Sequence, residues 1–356
     1  MSKSGLATAP PLDDAARRSL MERVERAHAA HSLPVRPGAA PLPAGTADGP
    51  LLSSEMRHDL QHEGIVEQLR GGGLLSRELT VVDFGAGDGG LCRSVAGAAG
   101  GGSFVLVDRS RRPTMPATGI DVSWLCADVS ALSAVELERA AADGQCVVVS
   151  NHLCGEGLDL AVERSVEAFH ATAATAAAAA AAAATVTAVA PRRLLGVMAA
   201  TCCHDQCRWG SFLGQRALAE WGFGARDFEL LCQWSRMAPR RGKADDGRER
   251  VVREAQRLGV TPTEAAQLGL HCRRLMDSAR LQRLRHLGFE VALVEHVDFR
   301  VTADNVMISA ILAPAATATT ATTSTTAHHA PPPTQPPPPT QPPPHVPPHA
   351  ELGVVR

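Results

Sequence analysis

The stretch VVDFGAGDGG, from Val81 to Gly90, joins an apolar run to a helix-like segment and decides the fold. Glycines at a strand-to-helix turn let the backbone bend sharply and approach a ligand closely. On both sides of this stretch, apolar β-branched runs alternate with helix-like segments. That alternation predicts crossover connections and therefore a parallel sheet with helices on its faces.

Seven strands are predicted between the two ends of the chain, of which the first five are parallel and the last two form a closing pair. The predicted strands are Thr80–Phe84, Ser103–Asp108, Asp121–Cys126, Gln145–Ser150, Leu194–Ala200, Phe289–Val297 and Asn305–Leu312. The predicted helices are Gly89–Ala99, Ser133–Ala142, Glu156–His170, Trp209–Trp221 and Glu264–Leu287. This layout predicts a doubly wound, Rossmann-like α/β domain of seven strands.

The glycine stretch fits two ligand patterns. Gly85, Gly87 and Gly90 match the dinucleotide pattern G-x-G-x-x-G. The acidic-x-Gly-x-Gly-x-Gly pattern of S-adenosylmethionine methyltransferases is matched by Asp83, Gly85, Gly87 and Gly89. A dinucleotide brings a pyrophosphate, which a carboxylate at Asp83 would repel. S-adenosylmethionine brings an ammonium group, which that carboxylate can pair with, so we expect S-adenosylmethionine as the cofactor.

Two more acidic residues stand at strand ends and support the same ligand. Asp108 ends the second strand, about 20 residues after the glycine stretch, where a carboxylate can accept both ribose hydroxyls. Asp128 follows the third strand, where it can accept from the adenine amino group. Either residue alone could be a strand-end cap. Together with Asp83 they predict a donor site on the carboxyl edge of one sheet.

Composition limits the class of protein. The chain of 356 residues has no run of about 18 non-alanine apolar residues, which argues against a membrane span. The N-terminal MSKSGLATAP has no apolar segment typical of a secretory signal. Nine cysteines in such a chain favour a reducing compartment, so we expect an intracellular protein, cytoplasmic or nuclear. The oligomeric state stays open.

Two segments of low complexity, one at each end of the chain, flank a central region of ordinary composition. Residues 1–50 are rich in Pro, Ala and Gly and are expected to be mostly disordered, with at most a short helix over Ala15 to Ala30. Residues 51–312 are expected to form the folded domain, with an alanine-rich insertion at about 171–190. The Thr/Pro-rich residues 313–356 are expected to be a disordered tail.

The loops after the fourth and fifth predicted strands are unusually rich in reactive side chains. They read SNHLCGEGLDL (Ser150–Leu160) and TCCHDQC (Thr201–Cys207). Ligands of open α/β sheets lie outside the carboxyl ends of the strands, so both loops should border the transferable group. Asn151, directly after the fourth strand, is expected to contact the donor.

These two loops carry a resemblance to a known family. NHLCG followed by a leucine-aspartate pair, and CCHxxC followed by Trp, resemble the eukaryotic tRNA 2′-O-ribose methyltransferases that modify the fourth nucleotide of the acceptor stem, the TRM-thirteen family. The stretches that agree in the same order are RHDLQHEGIVEQL (Arg57–Leu69), FELLCQWSRMA (Phe228–Ala238) and Leu268–Ala310, with Arg273, Arg274, Asp277 and Arg280. The resemblance spans about residues 55 to 312, apart from the alanine insertion.

The resemblance implies a class I methyltransferase domain that uses S-adenosylmethionine and binds tRNA as its partner. Members of this family usually carry small zinc-finger modules before the catalytic domain. No cysteine occurs here before Cys92, so we expect a catalytic domain without those modules.

Transfer of a methyl group to a ribose hydroxyl requires alignment and removal of a proton. His152 and His204 are the two candidate bases, and Asp159 could orient one of them. A lysine-based arrangement is excluded, since Lys243 is the only lysine of the expected folded domain. His152, in the NHLCG segment, is the preferred base.

The cysteines of these loops are expected to pack the floor of the pocket, and no metal is predicted. Cys202, Cys203, His204 and Cys207 are potential ligands, and Cys154 or Cys232 could complete a set. However, adjacent Cys202 and Cys203 do not readily bind one tetrahedral zinc ion, and the usual spacing is two C-x2-C pairs.

Basic residues are concentrated late in the chain. From Arg236 to Arg285 there are 13 Arg and Lys against six Asp and Glu, a surplus of seven in a chain whose net charge is −2. Arg240, Arg241 and Lys243 lie in a Pro/Gly-containing segment and are candidate phosphate contacts. No interleaved aromatic platform accompanies them, which suits a duplex acceptor stem better than single strands.

Three other functions remain open on the residues alone. A methyltransferase acting on a protein or a small molecule would share the donor loop but would not need the basic surplus. A non-catalytic S-adenosylmethionine-binding scaffold would not need the reactive loops, and an oxidoreductase would bind a dinucleotide at the glycine stretch.

Overall fold

Strand β2 (Thr80–Phe84) ends at the glycine stretch and lies inside a sheet of eight strands. The structure, a computed structural model, describes residues 13–38, 52–110, 120–141, 144–170, 193–239 and 244–312. The other strands are β1 (Val35–Arg36), β3 (Gly102–Asp108), β4 (Ile120–Cys126), β5 (Gln145–Ser150), β6 (Arg193–Ala200), β7 (Phe289–Glu295) and β8 (Val306–Leu312).

The sheet is mostly parallel, in the order β1-β7-β8-β6-β5-β2-β3-β4. Only β8 runs antiparallel to both of its neighbours, β6 and β7. The predicted α/β class, the parallel strands and the closing pair are therefore confirmed. All seven predicted strands are present, with ends that differ by no more than two residues.

Helices cover both faces of the sheet. They are α1 (Asp14–His31), α2 (Ser54–Gly71), α3 (Gly90–Ala99), α4 (Ala134–Ala140), α5 (Glu156–Phe169), α6 (Gln215–Glu220), α7 (Ala225–Ser235), α8 (Ala244–Leu258) and α9 (Pro262–His286). Apolar side chains of α2 and α3 pack on one face, and those of α4, α5 and α9 pack on the other. Helices α1, α6, α7 and α8 pack against α9 around a further apolar cluster.

The expected number of strands, seven, is wrong because β1 pairs in parallel with the edge strand β7. A two-residue strand carries no periodic signal, so the pattern of the sequence cannot reveal it. The short helix considered over Ala15 to Ala30 is present as α1, and residues 13–38 also include β1, whereas residues 1–12 and 39–50 lie outside the described residues. Helix α1 buries Leu20, Val24 and Ala27, spaced to lie on one face, and packs that face against α9.

The observed helices differ from the predicted helices in two ways. The segment predicted as one helix, Trp209–Trp221, divides into a single turn at Trp209–Ser211 and helix α6. The helix is interrupted between these two segments. There the amide of Leu213 donates to the carboxylate of Asp159 instead of to the preceding turn. Helices α2, α7 and α8 are not among the predicted helices. The sequence of α8, ADDGRERVVREAQRL, has a glycine and few apolar residues.

Several predicted features lie outside the described residues. They are the alanine-rich insertion at about 171–190, the segment with Arg240, Arg241 and Lys243, and the tail 313–356. None of the helices that the structure describes is long and apolar enough to cross a membrane.

Candidate active site

The carboxyl edge of the sheet collects the predicted site residues. From β2 the chain continues to β3 and β4 on one side, and β5 and β6 lie on the other side. The order of strands therefore reverses between β2 and β5, and open α/β sheets bind ligands at such a switch point. The predicted donor residues lie at the ends of β2 and β3 and directly after β4 and β5 at this edge.

The glycine loop after β2 takes a backbone shape that other residues avoid. Gly85, Gly87 and Gly89 have φ angles of 73°, 58° and 79°, all in the left-handed region. The amides of Gly85 and Ala86 donate to the carbonyl of Val107, which holds the loop against the end of β3. The loop is therefore a preformed glycine cradle directly before α3.

Asp83 is a buried carboxyl without a complete set of partners. Its side chain is 1% exposed, and Oδ2 has no hydrogen-bond partner among the described residues. Burial and the nearby charge of Asp108 raise the pKa of Asp83 to about 8. A buried polar atom without a partner is costly, so this oxygen is suited to accept from a ligand.

Asn151 presents the same feature on the neighbouring strand end. It is 6% exposed, and neither its Oδ1 nor its Nδ2 has a hydrogen-bond partner among the described residues. The hydroxyl of Ser150 donates to the carbonyl of Phe84 at 2.9 Å and joins the ends of β5 and β2. Asp83 and Asn151 therefore bring two buried groups with free hydrogen-bonding capacity to the switch point.

The other two acidic residues differ in their surroundings. Asp108 Oδ2 accepts from the amide of Gly87 at 3.0 Å, so its carboxylate helps to shape the glycine loop. Asp128 is exposed and accepts from the amide and hydroxyl of Ser130, at 2.9 and 2.7 Å. These bonds lower the pKa of Asp128. Its described contacts are those of the cap of a short helical turn.

The NHLCG segment lies directly against the glycine loop. A Cβ placed on Gly85 would lie 3.5 Å from Leu153 Cδ1. His152, the preceding residue, is exposed. Partial withdrawal from water and the neighbouring His58 lower the pKa of His152. The structure thus brings His152 to the donor loop.

Two histidines of α2 complete this cluster, and they are not among the predicted site residues. The rings of His58 and His152 meet edge to face at 5.3 Å, and those of His58 and His62 stack at 6.5 Å. Burial, followed by His58, lowers the pKa of His62 to about 4. The sequence does carry a signal for this pair, since an i, i+4 spacing puts both α2 histidines on one helix face.

His204 belongs to a buried ionic network. Its Nε2 lies 2.8 Å from Asp277 Oδ1, which also accepts from Arg280 at 3.1 Å. Thr201 donates to the other oxygen of Asp277 at 3.1 Å. Burial opposes ionisation, but His204 and Arg280 outweigh it and lower the pKa of Asp277 to about 2. His204 is 2% exposed, so the network holds it inside the protein.

Asp159 closes the network from α5. It is fully buried and binds Arg280 through both oxygens, each at 2.8 Å. Its described side-chain contacts are Arg280 and the amide of Leu213, and not a histidine. Asp159 therefore reaches His204 only indirectly, through Arg280 and Asp277. Direct orientation of a histidine by Asp159 is not what the geometry shows.

Three thiols also meet at this edge. Cys154 Sγ lies 3.4 Å from Cys202 Sγ and 3.1 Å from Cys203 Sγ. Hydrogen bonds with these two thiols lower the pKa of Cys154. The other two cysteines considered as ligands lie elsewhere, since Cys207 accepts from Arg280 at 3.0 Å and Cys232 contacts the carbonyl of Cys207.

A cleft of about 230 Å³ opens beside His204. Its wall includes Arg273, Arg274, Phe299 and Asp304. Phe299 is 46% exposed and presents an aromatic ring to this cleft. The cleft therefore brings two arginines and an exposed aromatic ring close to the loop after β6, at the same edge of the sheet as the predicted donor residues.

Several of the arginines counted between Arg236 and Arg285 are not free to bind a phosphate, because they are buried or paired with acidic residues. Arg273 and Arg280 are buried and bound to acidic residues of the fold. Others form ion pairs on the surface, namely Arg236 with Asp205, Arg257 with Glu254 and Arg283 with Glu163. Arginine count alone could not separate these structural residues from candidate phosphate contacts.

The strand order and the glycine loop define an open α/β protein with a mostly parallel sheet and a candidate ligand site at its switch point. The chain belongs to the family described as Methyltransferase TRM13, which matches residues 60–311.

Relatives of this chain carry the same family name. A mouse protein, "tRNA:m(4)X modification enzyme TRM13 homolog", is 27% identical over 316 residues, which is 70% of this chain and 62% of the relative. The human homologue is 24% identical and covers 72% of this chain and 65% of its own length. A Saccharomyces cerevisiae relative is 21% identical over 72% of this chain and 63% of its own length. The chain thus spans less than two thirds of these relatives.

Proposed function

We propose that this protein transfers a methyl group from S-adenosylmethionine to the ribose 2′-hydroxyl of the fourth nucleotide of the tRNA acceptor stem. Membership of the TRM13 family supports the reaction, and the names of the relatives, tRNA:m(4)X modification enzymes, support the substrate. The single observation that carries the proposal is the pair of buried, unpartnered groups of Asp83 and Asn151 at the switch point.

The strand order supports the finer description of the fold. Without β1, the order β7-β8-β6-β5-β2-β3-β4 with an antiparallel β8 is that of a doubly wound, seven-stranded class I methyltransferase domain. We assign residues 51–312 to this domain, and α1 and β1 extend it at one side.

The residues present fit the proposed donor. The free oxygen of Asp83 can accept from an ammonium group, and the positive-φ glycine loop leaves room beside it. We expect Asp108, at the end of β3, to accept from the ribose hydroxyls, and Asn151 can both donate and accept. Asp108 and Asp128 are the weaker members of the set, since Gly87 and Ser110 already occupy both oxygens of Asp108 and Ser130 occupies one oxygen of Asp128.

The protein's contribution to the reaction is alignment and proton transfer. Bound S-adenosylmethionine supplies a methyl group that is already activated by the positive charge on sulfur. His152, exposed beside the glycine loop, accepts the proton of the ribose hydroxyl. His204 acts as a positioning residue, because Asp277 and Arg280 hold it in the interior where it supports the loop after β6.

The cleft beside His204 is the proposed place of the substrate strand. Arg274 offers a positive charge to a phosphate, and Phe299 offers an exposed apolar face. Both lie next to the edge that holds the donor residues, so a ribose at the mouth of this cleft can face the methyl group.

The test is transfer of tritium from labelled S-adenosylmethionine to total eukaryotic tRNA, followed by mapping of the modified nucleotide. We expect a 2′-O-methyl at the fourth nucleotide, with Asp83→Asn as the inactive control. Label on protein or on a small molecule, or binding of a dinucleotide in place of the donor, would contradict the proposal.

A further inference from the structure

Three cysteine side chains from two loops converge at one point of the carboxyl edge. Cys154 comes from the loop after β5, and Cys202 and Cys203 come from the loop after β6. All three sulfur atoms lie within 4.8 Å of one another. This is the only such group of three His, Cys, Asp or Glu side chains within the part of the chain that the structure describes.

The backbone of Cys203 explains how two adjacent residues can point to the same place. In an extended chain neighbouring side chains point to opposite sides. Cys203 instead has a φ of 47° and a ψ of 42°, in the left-handed region. Among the described residues it is the sole residue other than glycine with a positive φ. Strain of this kind is concentrated at functional and ligand-binding sites.

The loop after β5 is shaped to meet this turn. Gly155, next to Cys154, has a φ of 56°, and a Cβ there would lie 2.6 Å from Gln206 Cβ. The two loops are therefore packed so closely that only glycine fits between them. That contact places the thiol of Cys154 opposite the pair on the other loop.

The cysteines of the hydrophobic core differ from this group in their burial. Cys92, Cys146 and Cys272 are buried among apolar side chains, and burial raises the pKa of Cys92 to about 12 and that of Cys272 as well. In the converging group only Cys202 is buried, whereas Cys203 is half-buried and Cys154 is exposed, so the group lies at the surface and not in the core.

We propose that Cys154, Cys202 and Cys203 bind one thiophilic metal ion, of which Zn²⁺ is the expected form, through their three sulfur atoms. Each thiol loses its proton to water when its sulfur binds the ion. A tetrahedral Zn²⁺ about 2.3 Å from each sulfur requires sulfurs about 3.8 Å apart. The observed distances of 3.1 and 3.4 Å need only small side-chain rotations to reach this value.

The ion would join the loop that carries His152 to the loop that carries His204. A water molecule or a neighbouring side chain would then fill the fourth position. The proposal does not depend on methyl transfer, because it rests on the sulfur positions and the backbone of Cys203 alone.

The first experiment measures metal on the purified full chain, with zinc counted by mass spectrometry and Co²⁺ substituted for it. We expect one ion per chain and near-ultraviolet absorption from sulfur-to-cobalt charge transfer. Cys154→Ser and Cys203→Ser should each lower retained zinc at least tenfold after dialysis. Cys126→Ser, an exposed thiol on β4 outside the group, should keep it. Equal zinc in the wild type and in the Cys154→Ser/Cys203→Ser double variant would overturn the proposal.

The second experiment uses only the wild-type chain, so it is unaffected by variants that fail to fold. Alkylation by iodoacetamide is mapped by mass spectrometry with and without added Zn²⁺. We expect zinc to slow the labelling of Cys154 and Cys203 at least tenfold and to leave that of Cys126 unchanged. Uniform labelling would refute the site, as would a Cys154–Cys203 disulfide that forms equally fast with zinc present.

Discussion

The hydroxyl of Ser150 donates a 2.9 Å hydrogen bond to the carbonyl oxygen of Phe84. This bond joins the last residues of β5 and β2, the two strands between which the sheet reverses its order. Asp83 is the residue before Phe84, and Asn151 is the residue after Ser150. Their unpartnered polar atoms are thus fixed to the same rigid edge, which is the pre-organisation that a polar ligand requires.

Replacement of Asp83 by Asn should weaken binding of S-adenosylmethionine at least tenfold. The variant loses a charge-assisted hydrogen bond to the donor's ammonium group, worth about 1.5–3 kcal/mol. Isothermal calorimetry measures the effect, and Asp121→Asn, an exposed residue of β4, is the control. A folded Asp83→Asn protein with wild-type affinity would remove Asp83 from the donor site.

The same carboxyl predicts a pH effect on stability. The folded pKa of Asp83 is raised to about 8, above its ordinary value of 3.8. Between these values the folded state keeps a proton that the unfolded state has lost, so this group makes the free energy of unfolding fall as pH rises. Asp83→Asn should therefore gain stability relative to the wild type from pH 5 to pH 8 in urea denaturation without donor. A constant difference between the two proteins would contradict the assignment.

Replacement of His152 by Ala should lower turnover at least a hundredfold while donor binding is kept. General-base catalysis contributes about 10²–10⁴-fold, and no lysine or tyrosine of the described residues can take its place. Single-turnover rates with tRNA measure the loss, and His286→Ala, exposed at the end of α9, is the control. If His152→Ala keeps more than a tenth of the rate while folded His204→Ala is inactive, the two histidines exchange roles.

The strands could be predicted from the sequence because each carries a strong local pattern. The run TVVDF before the glycines, for example, marks β2 to the residue. The partners of Asp159 could not be predicted, since Arg280 lies 121 residues away and only the folded packing of α5 on α9 brings them together. The convergence of the thiols of Cys154, Cys202 and Cys203 could not be predicted either, because it depends on the backbone conformation of one residue. Adjacent cysteines do not readily bind one metal ion when the backbone between them is extended. At Cys203 the backbone is instead in the left-handed region, and nothing in the sequence indicates this conformation.

Removal of Arg280 should destabilise the protein by about 3–5 kcal/mol, because it leaves the buried Asp159 without its cation and removes one partner of the buried Asp277. Urea denaturation of Arg280→Ala at neutral pH measures this loss. Arg283→Ala is the matched control, since its ion pair with Glu163 is more than a third exposed on both sides and should cost less than about 1 kcal/mol. A similar small loss in both variants would show that the network contributes little.

Replacement of Arg274 by Ala should weaken tRNA binding and leave S-adenosylmethionine binding unchanged. Arg274 lines the cleft beside His204 and Phe299, where a phosphate of the substrate strand can reach its charge. Loss of one phosphate contact should reduce the slope of log affinity against log salt by about one. Filter binding of tRNA across a salt series measures this slope. Arg216→Ala, whose side chain is 82% exposed on α6 outside the cleft, should keep the wild-type slope. If Arg274→Ala also keeps it, the cleft does not contact the RNA backbone, and the substrate strand must approach the donor edge from another side.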